Sequence, residues 1–338
     1  MSRGVTLHCF FSAKGGVGKT TLAVACAQVL PERGLTLVLD ADFTGTSLAD
    51  GLDLCAPQVA LRSDGTMDLA APSTGAFLSL AETRGLRRQR QRQNWRSQTD
   101  DPPPPPPYLN DLFAFRPAEG QQGDCRVDGL LWRHDRGGAV RYLPSSSINH
   151  DIDLALSWLH GELFEAWVQR FAWLLQTLVR ELPMLTDVVV DLPPGLFGFA
   201  RGAVSLLSAL ASAEPLPPGF PGPELYGLAT FQVRPFLVVS QDRQDVVSAV
   251  EAQARMVKKL PGIVMLFNRV TEGPERVRAM VHEALSPGEA AAAALIPPPA
   301  YRMVHFVGDH RRTLGRLFID GTLQLDDDAR SEIARVLS

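Results

Sequence analysis

The chain has 338 residues, with 33 Lys and Arg against 37 Asp and Glu, for a formal net charge of −4. Hydrophobic residues make up 45% and charged residues 21%, so the usage is ordinary and globular, and a whole-surface nucleic-acid coat is excluded. Four scattered cysteines without a CxxC pair, no apolar run near the ~20 residues of a membrane span, and no signal-peptide pattern at the start point to a cytoplasmic protein.

Residues 5–11 read as a short buried strand. A turn with Gly15, Gly16 and Gly18 follows, then a helical pattern over 20–30 and a second apolar run over 35–39 that ends at Asp40. Strand, glycine turn, helix and strand in this order open a βαβ unit and imply a parallel sheet. Residues 61–137 break the rhythm. They hold an Arg/Gln run over 87–93 and six consecutive prolines over 102–107, and read as an irregular, partly flexible insertion. Further strands are expected at 139–143, 187–190, 235–240, 262–267 and 291–296. Helical periodicity runs through 154–182, and a helix is expected near 203–210. The expected architecture is one α/β domain over 1–338, with a doubly wound, mostly parallel sheet and helices on both faces.

The segment from Ser12 to Thr21 carries the chemistry. Glycines let a backbone curl until several N–H groups converge on one anion, and a helix N-terminus behind them adds positive charge. In this register Gly15, Gly16, Val17 and Gly18 form the cup. Lys19 reaches the β- and γ-phosphates, the Thr20 hydroxyl ligates Mg²⁺, and Thr21 contacts the α-phosphate. The strict GxxxxGK[ST] pattern fails at Ala13, and Lys14 places a second cation beside the phosphates.

The run AKGGVGKTT resembles the deviant Walker A motif of the ParA/MinD-type P-loop ATPases. Three further segments are similar to that family's motifs and follow its order. They are Leu37 to Asp42 at a strand end, Val188 to Gly195, and Phe267 to Arg269. Each sits at the C-terminal end of an expected strand, where doubly wound sheets place ligands. The resemblance implies ATP and Mg²⁺ as cofactors and a homodimer in the ATP state, with Lys14 reaching the partner's phosphates. It also implies that Asp42 orients the attacking water, that Asp40 and Asp191 hold Mg²⁺ largely through its waters, and that Asn268 reads the adenine. Gly195 would let its loop follow the γ-phosphate.

The departures narrow the function. Phe43-Thr44-Gly45-Thr46 replaces the proline-glutamine-glycine of the DNA-partition branch. The acidic tail from Asp326 would be repelled by an anionic membrane, and the cysteines supply no cluster site at a subunit interface. The first expectation is a nucleotide-switched dimer that positions or partitions cargo, aided by a protein activator or cargo adaptor. Non-specific DNA would bind through Arg255, Lys258 and Lys259 on one helix together with Arg302, Arg311, Arg312 and Arg316. The alternative is a regulatory module that docks a protein through the insertion, by its proline run or by the arginines near Trp95. An ATP-dependent ligase or amidase, similar to the cobyric-acid-type synthases, would need a nucleophile-bearing second domain that the chain does not show.

Overall fold

A computed structural model describes residues 3–30, 34–43, 48–60, 68, 71, 73–93, 108–114, 126–159, 164–216, 220, 222–284, 304–308 and 325–338. The apolar run after the amino terminus forms β1 (Arg3–Phe11), the central strand, and the glycine turn leads into α1 (Lys19–Val29). β2 (Leu35–Asp40), β6 (Val140–Leu143), β7 (Leu185–Asp191), β8 (Ala229–Val239), β9 (Val264–Val270) and β10 (Val304–Gly308) complete a seven-stranded sheet in the order β10-β9-β8-β1-β7-β2-β6. Every pair in it is parallel.

Side chains alternate along a strand, so a parallel sheet buried on both sides needs two apolar faces. In β1, Val5, Leu7, Cys9 and Phe11 face one core. α6 (Phe164–Glu181), α7 (Gly198–Ser212), α8 (Gly222–Leu228), α9 (Arg243–Met256) and α10 (Pro274–Ala284) cover it. Phe10 faces the other core with Val38, Val189, Phe236 and Val238. There α1 and α11 (Asp327–Leu337) supply the cover, with Leu22, Val24, Ile333 and Val336 among the buried residues. The expected doubly wound α/β architecture with helices on both faces is therefore present.

The apolar stretch over 154–182 divides into α5 (Asn149–Leu159) and α6, and the intervening 160–163 lie outside the described residues. β8 starts well before residue 235. Its first half pairs only with β1, so its polar Thr230 to Arg234 segment remains partly exposed and lacks a buried-strand pattern. The expected strand at 291–296 lies outside the described residues, and β10 was not anticipated.

Between β2 and β6 the chain folds α2 (Leu48–Gly51), β3 (Leu54–Pro57), β4 (Phe77–Leu78), α3 (Leu80–Gln93), α4 (Leu109–Ala114) and β5 (Arg133–His134). The sheet β4-β3-β5 is small and antiparallel. The Arg/Gln run belongs to α3. Its start is a reciprocal cap in which Ser79 Oγ accepts from the Glu82 amide while the Ser79 amide donates to Glu82 Oε2 at 2.9 Å. The six prolines and Trp95 lie outside the described residues.

Phe43, directly after the aspartates of β2, sits in an aromatic cluster. Its ring centroid is 4.7 Å from Trp167, 5.2 Å from Phe113 and 5.7 Å from Phe199. Such edge contacts add to the area that each ring buries. Phe43→Ala is expected to cost about 3–5 kcal/mol. A lower denaturant midpoint with an unchanged slope would show it, and an unchanged midpoint would deny the cluster its structural weight.

Candidate functional site

The loop between β1 and α1 turns on two glycines in the left-handed region, Gly16 at φ +80° and Gly18 at φ +84°. Gly18 needs its missing side chain twice over, because a Cβ there would lie 2.2 Å from Asn268 Nδ2. A Cβ at Gly15 or Gly16 would meet open space, so this side of the loop forms an open cup. No side chain caps Gly18 and the first turn of α1 carries no acid, so the positive helix end is left to an outside anion. Ser12 Oγ, buried at the loop's start, has no hydrogen-bond partner among the described residues.

Below the cup lies a buried charge constellation. Lys19 Nζ is 2.5 Å from Asp191 Oδ1 and 3.3 Å from Asp42 Oδ2. Thr20 Oγ1 donates to Asp191 Oδ2 at 2.5 Å. Asp191 and Asp40 are fully buried and Lys19 is 6% exposed. Burial pulls the Lys19 ammonium down, but Asp191, Asp42 and Asp40 together hold it above its ordinary value. Desolvation raises Asp191, with Lys19 opposing. Burial and the neighbouring Asp191 carboxylate push Asp40 up to about 7. Three acids around one lysine leave an excess of negative charge in a dry site, a setting that favours a divalent cation. Among the described residues no three His, Cys, Asp or Glu side chains converge to hold a metal by themselves. Such a donor set fits Mg²⁺, which keeps most of its waters and shares substrate phosphates.

The strand ends hold these acids in place. The Ala41 amide donates to the Asp191 carbonyl at 2.8 Å, and the Leu192 amide donates to the Phe10 carbonyl at 3.1 Å. The Gly195 amide donates to the Ser12 carbonyl at 2.8 Å, tying the loop after β7 to the glycine cup. Gly195 is left-handed at φ +86°, and a Cβ there would strike the Phe197 ring at 2.3 Å. Asn268 Nδ2 donates to the Val17 carbonyl at 2.9 Å, and Asn268 Oδ1 accepts from the Arg269 amide at 3.0 Å. Both ends of the side chain expected to read adenine are therefore engaged within the protein. Lys14 Nζ lies 3.0 Å from Asp245 Oδ1 on α9 of the same chain.

Val17, Lys19, Thr20, Asp40, Asp42, Asp191 and Asn268 thus come together at the C-terminal edge of the sheet, with Gly15, Gly16 and Gly18 above them. Thr21 follows in the first turn of α1. Ser145 and Asp245 were not anticipated. Asp245 lies in the first turn of α9 behind the cap Asp242, an acid-rich helix start with no mark of its own, and Ser145 follows a strand end like many serines. The expected single helix for Arg255, Lys258 and Lys259 is corrected. α9 ends at Met256, and the Lys259 and Leu260 amides turn back to the Met256 carbonyl ahead of Pro261. Arg302, Arg311, Arg312 and Arg316 lie outside the described residues. Cys9 and Cys26 are buried, and desolvation raises both thiols far above their ordinary value.

Residues 6–96 match the ParA family model, described as NUBPL iron-transfer P-loop NTPase. The resemblance to the ParA/MinD-type P-loop NTPases stands. Solved structures similar to the chain include a ParA family ATPase from Chlorobium tepidum TLS, at 10% identity over 98% of each chain and TM-score 0.49. Another is the septum site-determining protein MinD with Mg-ADP from Pyrococcus horikoshii OT3, at 16% identity over 99% of this chain and 94% of that one, TM-score 0.47. A third is an ATP complex of a McdA variant from Cyanothece, at 14% identity over 99% and 96%, TM-score 0.46. No curated protein matches the sequence.

Gly18→Ala is expected to cost about 1–2 kcal/mol from left-handed backbone alone, and more from the collision with Asn268. Adding Asn268→Ala should return the second part. A double-mutant cycle on chemical denaturation that shows strict additivity would place the two residues out of contact.

Proposed function

We propose that the chain is a Mg²⁺-dependent ATPase that acts as a nucleotide-switched dimer to position or partition cargo. The observation that carries this reading is the buried Lys19–Asp191–Thr20 constellation beneath an uncapped glycine cup. Backbone amides of Gly15 to Lys19 would wrap the β- and γ-phosphates, with Thr21 on the α-phosphate. Lys19 would move its charge from the acids to the phosphate oxygens. Thr20 and Asp191 would hold Mg²⁺, with Asp40 acting through water. When bound, the ion supplies positive charge to the phosphate oxygens. Asp42, beside Lys19 Nζ, would orient the attacking water.

In this reading Lys14 leaves Asp245 on dimerisation and adds its charge to the partner's phosphates, as an arginine finger would. The exposed Arg255, Lys258 and Lys259 support non-specific DNA binding, although Arg255 already lies 3.7 Å from Glu251 and Lys259 Nζ bonds Ser205 Oγ. The alternative, protein docking through residues 61–137, is supported by the way Arg87 fixes α3 to the body and leaves Arg88 exposed. No helix among the described residues is long and apolar enough to cross a membrane.

Light scattering after size exclusion in ADP, ATP and a non-hydrolysable analogue, with and without duplex DNA, tests the reading. A mass doubling with ATP alone supports the switch, and one mass in every nucleotide rejects it. Calorimetry should find no ATP binding in Lys19→Ala, whereas Lys14→Ala should bind ATP while losing the dimer or hydrolysis. Asp42→Ala should accumulate as an ATP-bound dimer with turnover lowered about 100-fold or more, and rapid phosphate release by that variant would remove Asp42 from the chemistry.

A further inference from the structure

The segment Pro144-Ser145-Ser146 leaves β6 beside the aspartates of β2, and its two serines point to opposite sides. Ser145 Oγ donates to Asp40 Oδ2 at 2.8 Å, and the Ser145 amide donates to the same oxygen at 3.3 Å. The Leu48 amide adds a third donor to Asp40 Oδ2 at 3.0 Å. One carboxylate oxygen is thus held by the protein, while Oδ1 receives, among the described residues, only the 3.3 Å contact from the Asp42 amide.

Ser146 faces away from the site. Its Oγ donates to Asp151 Oδ2 at 2.5 Å, and its amide donates to Asn110 Oδ1 of α4 at 2.6 Å. Asp151 Oδ2 also accepts from Arg87 Nε at 2.6 Å. The remaining guanidinium nitrogens of Arg87 grip Asp111 at 2.7 and 2.8 Å in a fork, and the group lies 4.8 Å from the centre of the Tyr108 ring. The Leu109 amide donates to the Pro144 carbonyl at 2.8 Å, a second tie to the same three residues. All of these side chains are buried. Neither α3 nor α4 contributes a residue to the glycine cup, yet hydrogen bonds to Ser146 on one side and from Ser145 on the other, joined by the peptide link between the two serines, connect both helices to Asp40.

We propose that Ser145 is a positioning residue for Asp40, and that the Ser145–Ser146 pair transmits the seating of α3 and α4 to the metal-holding edge of the site. This rests on the nucleotide reading above. With Ser145 and Leu48 fixing Oδ2, Oδ1 is presented to the water shell of Mg²⁺. Arg87, through Asp151 and Ser146, sets where Ser145 stands. A ligand that shifts α3 changes the affinity for Mg²⁺-nucleotide, and by reciprocity Mg²⁺-nucleotide changes the affinity for that ligand.

The test uses the full chain and adenylyl-imidodiphosphate, titrated by calorimetry in EDTA and at graded MgCl₂. Ser145→Ala should keep its affinity in EDTA within twofold of wild type, which also reports an intact fold. Its midpoint for Mg²⁺ enhancement should rise about tenfold, the worth of one hydrogen bond to a charged group. Ser146→Ala and Arg87→Lys should shift that midpoint in the same direction by about two- to threefold, and Arg88→Ala should not. An unshifted midpoint in Ser145→Ala overturns the positioning role. A shift in Ser145→Ala with none in Ser146→Ala or Arg87→Lys overturns the link to α3 and α4. Wild-type protein that binds no nucleotide removes the nucleotide reading itself, and the tie's role with it.

Discussion

A buried lysine is tolerable only where carboxylates surround it, and Lys19 sits against two of them at the meeting point of β1, β2 and β7. Removing an ion from water costs several kcal/mol, so such a group survives only with tight geometry and every donor engaged. Much of the local structure serves that requirement. The parallel pairing of β2 with β7 puts Asp40 and Asp191 side by side, and the backbone bond from Ala41 to Asp191 locks the two strand ends in register. Thr20 then satisfies the second oxygen of Asp191.

The same constraint extends into the core. Asp42 is followed by Phe43, whose ring is wedged among Phe113, Trp167 and Phe199, so the backbone carrying the acid cannot drift without opening an aromatic cluster. Cores are close-packed and respond to displacement with strain. A loop-borne acid is thereby given the rigidity of a strand. On the opposite side Asn268 and Arg269 brace the glycine turn from the end of β9, and Arg269 does so at φ +58°, a strained backbone for a residue with a side chain.

The core of the fold was legible in the sequence because its signals are local and redundant. Val188 to Val190 is an unbroken β-branched run, and the run ending at Asp40 follows a glycine-rich loop and a helix, so pattern and motif agree. The first half of β8 was not legible, since a strand paired on one side alone keeps polar residues. The Arg/Gln run reads in the sequence as part of an irregular insertion, whereas it belongs to α3, whose start carries the reciprocal Ser79–Glu82 cap. The burial of Arg87 depends on Asp111 and Asp151, which lie 24 and 64 residues away in sequence, and no local pattern could report that pairing. Ser145 was hidden for the same reason, because its partner Asp40 is 105 residues distant. Whether Asn268 is occupied by its own protein or by a base is a question of a few ångströms, which residue type alone leaves open.

Phe197 gives the loop after β7 a further property. Its ring is 60% exposed and folds over Gly195, whose amide is bonded to the Ser12 carbonyl. The ring fills the space that a side chain at residue 195 would take, so the position admits only glycine while Phe197 stays where it is. A large apolar ring is thereby held at the surface beside the mouth of the cup, in place of the solvated side chain that position would otherwise carry.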